Sequence, residues 1–76
     1  MEIMEAQKIA FFYLDEIERN ISDKNHDVAD ELQFAYQLFK RSVDHEFPNE
    51  DDALHRLYDT CEDRNAKRMA ALAARR

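Results

Sequence analysis

Ile9-Ala10-Phe11-Phe12-Tyr13-Leu14-Asp15-Glu16-Ile17-Glu18-Arg19-Asn20-Ile21 is the stretch whose reading decides the fold. Together with the residues just before it, it places Ile3, Ala6, Ala10, Tyr13, Leu14, Ile17 and Ile21 three or four apart. At ~100° per residue those positions fall on one stripe, the mark of an amphipathic helix. A half-buried strand would alternate with period two instead. The polar run around Asn20, Ser22, Asp23, Lys24 and Asn25 ends the pattern, so the first helix is predicted over residues 2–21. Asn20 or Asn25 is the expected occupant of the left-handed position that glycine usually takes after a helix.

Working outward, Val28, Leu32, Ala35, Tyr36, Phe39 and Val43 repeat the spacing and predict a second helix over residues 27–45, capped by Asn25 or Asp27. Asp27, Asp30 and Glu31 sit in its first turns and Lys40 and Arg41 near its end, an order that complements the helix dipole. Phe47-Pro48-Asn49 is the clearest boundary, because the residue before proline is biased out of the α region. Asn49 followed by Glu50, Asp51 and Asp52 reads as a helix start. Leu54, Leu57, Tyr58, Cys61, Met69 and Leu72 then share a face of a third helix over residues 50–72. Asp52 with Arg56 and Asp63 with Lys67 support it at i,i+4.

The chain has 76 residues, no glycine and one proline. Ordinary usage of ~7% glycine would supply about five. Without them there is no phosphate-cradling loop of the G-x-x-x-x-G-K-[ST] or G-x-G-x-x-G kind, and tight hairpins are disfavoured. The fold class is therefore all-α: one domain, a compact three-helix bundle or a helical hairpin plus a third helix completed by dimerisation. A chain this short buries only ~60% of the surface its unfolded form exposes, so a partner or a second copy is an expected supplement. A single cysteine, Cys61, cannot form an internal disulfide and suits a reducing compartment. The opening Met1-Glu2-Ile3-Met4-Glu5 is acidic where a secretory signal would carry positive charge. The longest apolar run, residues 9–14, falls far short of the ~20 a membrane span needs. A cytoplasmic protein without membrane contact is expected.

Charge divides sharply along the chain. All seventeen acids lie in residues 1–63 against six bases, a net of −11, while residues 64–76 hold five bases and no acid. Part of this is ordinary helix-dipole complementarity and solubility. Beyond that, Asp27, Asp30, Glu31, Glu50, Asp51 and Asp52 are candidates for contact with a basic partner. Arg64, Lys67, Arg68, Arg75 and Arg76 are the alternative, a nucleic-acid contact disfavoured by the small number of cations. Five phenylalanines and three tyrosines also exceed what three stripes hold. Met4, Phe11, Phe12, Phe34 and Leu38 fall off the stripes and form a candidate protein-binding surface, since aromatics and methionine favour interface cores.

Catalytic signatures are sparse. Asp52-x-x-His55 is a single carboxylate-x-x-His pair where di-metal bundles need two, so surface pairing is preferred and no metal or cofactor is expected. Cys61 lies mid-stripe, where a thiol acts as a small buried hydrophobe, and His55 is six residues back on another face. The expectation is a small acidic cytosolic protein-binding module, a non-enzymatic regulator or inhibitor covering a basic, possibly nucleic-acid-binding, surface of its partner. The alternatives are a nucleic-acid-associated regulator and a structural homo-oligomer subunit.

Overall fold

A computed structural model describes residues 2–75 and contains three helices, α1 (Ile3–Ser22), α2 (His26–Glu46) and α3 (Asp51–Ala74). Each lies within two residues of its expected bounds, α3 running two residues further than expected. α1 packs against both other helices and forms the spine of the bundle. Two tight connections make α2 antiparallel to its neighbours, so α1 and α3 run the same way. The radius of gyration is 13.2 Å and the principal extents are 43 × 22 × 14 Å. A domain of this length packed as a sphere would have a radius nearer about 11 Å. The bundle is thus a flat, elongated one.

The core follows the stripes. Ala6, Ala10, Leu14 and Ile17 of α1 meet Tyr36 and Val43 of α2 and Leu54, Leu57, Tyr58 and Cys61 of α3. Ala6 and Ala10 are fully buried, and their small side chains let two helices approach α1 closely. Tyr13 sits between Tyr36 and Phe39, with ring centroids at 6.2 and 5.6 Å. Phe47 packs against the core immediately before Pro48, so the residue that ends α2 also anchors the turn.

The α1–α2 connection departs from expectation in an informative way. The Asn25 N–H donates to the Asn20 carbonyl at 2.7 Å and the Lys24 N–H to the Ile21 carbonyl at 3.0 Å. Those 6→1 and 5→2 bonds make a Schellman motif, whose left-handed position falls on Lys24 (φ 64°). Neither asparagine takes it. Asn20 is buried and its amide donates to the Glu16 carbonyl at 2.8 Å, while the Asn25 amide donates to the Asn20 side chain at 3.5 Å. Asn25 does stand at the N-terminal flank of α2, but its side chain makes no capping bond. The start of α3 is flanked by Glu50, one residue past the expected Asn49, again without a side-chain cap.

Candidate interaction surfaces

Because α2 and α3 run in opposite directions, their first turns lie at opposite ends of the bundle. Asp27, Asp30 and Glu31 stand at one end, and Glu50, Asp51 and Asp52 stand at the other with Glu2 and Glu5 of the parallel α1. At 1.5 Å per residue the length of α2 separates them by roughly 30 Å. All six candidate acids are exposed and none belongs to an ion pair among the described residues. The sequence groups them as one acidic body, whereas the fold makes them two poles.

The basic end of α3 is not the free surface its composition suggests. Arg64 donates to Asp15 Oδ1 at 2.6 Å and Arg68 to the same oxygen at 3.0 Å. Arg68 Nε also lies 3.3 Å from the Glu18 carboxylate, which is mostly buried. The Arg64 guanidinium stacks 3.9 Å from the centre of the Phe11 ring. Two of the five tail cations therefore hold α3 to α1. Lys67 and Arg75 remain exposed, and Arg76 lies outside the described residues.

The same contact corrects the aromatic surface. Phe11 is half-buried against the core and covered by Arg64, so it leaves the exposed set. Met4 (69% exposed), Phe12 (61%), Phe34 (67%) and Leu38 (48%) stay exposed, and Val28, expected in the core stripe, joins them at 44%. These do not make one patch. Met4 and Phe12 are eight residues apart on α1, roughly 80° and 12 Å. Phe12 leans on Tyr13, edge to face, at 6.3 Å. Phe34 and Leu38 are one turn apart on α2, on the side away from its core residues.

Between α2 and α3 runs a groove of about 480 Å³ with Leu54 and Tyr58 at its floor. Lys40 closes one end, pairing with Glu62 at 3.2 Å and lying 4.8 and 5.5 Å from the Tyr36 and Tyr58 ring centres. The Tyr58 hydroxyl donates to the Lys40 carbonyl at 3.5 Å. The Tyr36 hydroxyl is buried beside Glu62 without meeting hydrogen-bond geometry. Burial, reinforced by Asp44 and Glu62, pushes the Tyr58 phenol up to about 12. Burial pushes Tyr36 still further up, with Glu62 adding to it. The sequence reading missed this Lys40–tyrosine arrangement; Lys40 at i+4 from Tyr36 was the available signal.

Cys61 is fully buried, and its thiol pKa is raised chiefly by that burial, against the lowering effect of Arg64. Thiolate chemistry is thereby opposed. Among the described residues no three His, Cys, Asp or Glu side chains gather closely enough to hold a metal ion. Among the same residues no helix is long and apolar enough to cross a membrane. Set beside protein-family models, curated proteins and solved structures, the chain matches none of them.

Proposed function

We propose that this chain is a non-enzymatic protein-binding module that docks its acidic pole onto a basic surface of a partner protein, as a small regulator or inhibitor. The observation that carries the reading is the asymmetry of charge use. Among the described residues Glu50, Asp51 and Asp52 are exposed and unpaired, whereas Arg64 and Arg68 are consumed within the fold. Unpaired clustered carboxylates project a field that steers a basic surface, and a net charge of −6 adds to it at long range. The nucleic-acid reading loses ground for the same reason, since only Lys67 and Arg75 are left exposed and unpaired among the described tail cations. A second reading, self-association, is supported by the adjacent exposed side chains Phe34 and Leu38.

The test is affinity capture with the wild-type chain beside a triple variant, Glu50→Lys, Asp51→Lys and Asp52→Lys. A basic protein retained by the wild type should dissociate as salt rises, since the field is cut off beyond ~8 Å at 0.15 M. The triple variant should bind it with a slower association rate and a nearly unchanged dissociation rate. A partner held equally well by both chains would remove the acidic pole from the mechanism.

A further inference from the structure

The outer side of α2 carries a pattern that the bundle does not use. Asp27, Glu31, Phe34, Leu38, Arg41 and His45 follow one another at steps of four, three, four, three and four. That is the 3.5-residue repeat of a coiled-coil seam. At ~100° per residue the six span roughly 80° of arc. They lie opposite the buried stripe of Ala29, Tyr36 and Val43, and every one of them is exposed. The seam is ordered along its length: acidic at its start, apolar at its centre, basic at its end.

This order is self-complementary. A two-fold axis at the level of residue 36 would set α2 antiparallel to α2 of a second copy. Phe34 then meets Leu38 of that copy, Glu31 meets its Arg41, and Asp27 meets its His45. Each pair occurs twice, as an isologous interface requires. The parallel arrangement fails, because it stacks Asp27 on Asp27, Glu31 on Glu31 and Arg41 on Arg41, and like charges face to face are costly. Arg41 and His45 have no ion-pair partner among the described residues, so their positions are open to this use.

From this charge complementarity we infer that the occupant of the α2 seam is a second copy of this chain, held as an antiparallel two-fold dimer. The inference deepens the self-association reading by naming the face, the register and the residue pairs. Only two apolar side chains per copy lie at the centre, so the dimer is a weak one that dissociates on dilution. The seam leaves Glu50, Asp51 and Asp52 uncovered and does not depend on their role.

Light scattering of the full chain over a concentration series tests it. The wild-type mass should rise from 9.1 kDa toward twice that value. Glu31→Arg alone sets two arginines against each other across the seam, and Arg41→Glu alone sets two glutamates together. Each should weaken dimerisation by more than about tenfold. Circular dichroism should show both variants still helical, because both sites are exposed. An equimolar mixture of the two should recover the dimer, since every arginine then faces a glutamate. A wild-type chain that stays at 9.1 kDa throughout would overturn self-association itself and leave the seam to another protein. A wild-type dimer indifferent to both variants would keep self-association and overturn the seam. Two folded variants that stay monomeric when mixed would overturn the antiparallel register.

Discussion

Lys24 holds a left-handed backbone conformation, φ 64°, at the position where a Schellman motif favours glycine. A side chain with a Cβ costs roughly 1 kcal/mol there. Lys24→Gly should therefore stabilise the fold by about that amount and raise Tm by about 4–8 °C; a fall in Tm would mean that the Lys24 side chain holds a contact worth more than the strain. The buried phenols set a second expectation. Tyr58 is raised from 10.0 to about 12 and Tyr36 further, mainly by burial. A pKa raised by folding means that the native state binds the proton more tightly, so its contribution is complete below pH 10 and lost as pH climbs through about 12. Cys61, raised above its usual 9.0, has the same sign. Denaturant titrations should give a midpoint that falls steadily between about pH 10 and 12, and a flat midpoint there would contradict the buried placement. At this scale the sequence was only partly legible. Cys61 and Tyr36 could be placed by helical phase alone. Phe11 could not, because its cover is Arg64, far along the chain on another helix. Val28 looked apolar and in phase, yet the smaller Ala29 beside it takes the buried position.

The elements were more legible than their junctions. A stripe repeated over a whole helix averages out local exceptions, and all three helices follow from it. The caps depend on single backbone angles that periodicity does not encode, which is why the turn falls on Lys24 and the start of α3 on Glu50. α3 also divides in a way its stripe conceals. Leu54, Leu57, Tyr58 and Cys61 are buried, but Asn65, Met69 and Leu72 are only half-buried beyond them. The second half is held to α1 largely by Arg64 and Arg68 through Asp15 and Glu18. The participating side chains other than Glu18 are 42–48% exposed, so screening limits the set to ~0.5–1 kcal/mol. Asp15→Asn should lower stability by about that much at low salt and by less at high salt. Hydrogen exchange should quicken in residues after Cys61 while the amides around Leu54 and Leu57 stay protected. Uniform loss of protection would show that α3 unfolds as one unit with the core.

On the scale of the whole molecule, the −11 and +5 division is legible in the sequence, but its geometry is not. Direction of chain decides it: α1 and α3 begin together, so Glu2, Glu5, Glu50, Asp51 and Asp52 crowd one end, while Asp27, Asp30 and Glu31 are carried to the other. The antiparallel α2 dimer proposed above bears on partner binding. α2 finishes at the acidic pole, so pairing two copies of α2 antiparallel about a two-fold axis would put the two poles at opposite ends of the dimer. The proposed dimer would then be a bivalent ligand for the proposed basic partner, with arms separated by about the length of α2, roughly 30 Å. Bivalency raises retention on a dense surface of partner by about 10²–10⁴-fold without any new contact. Phe34→Asp should break the dimer, so its retention on immobilised partner should fall steeply. Its one-to-one affinity for soluble partner, measured by calorimetry, should stay close to wild type, because residue 34 lies roughly 18 Å along α2 from the end that reaches the acidic pole. The Glu50→Lys, Asp51→Lys and Asp52→Lys variant should behave in the opposite sense, staying dimeric while losing affinity on the surface and in solution alike. Equal retention of Phe34→Asp and wild type on the dense surface would separate dimerisation from partner binding. Loss of soluble affinity in Phe34→Asp would move the partner's contact onto the α2 seam itself.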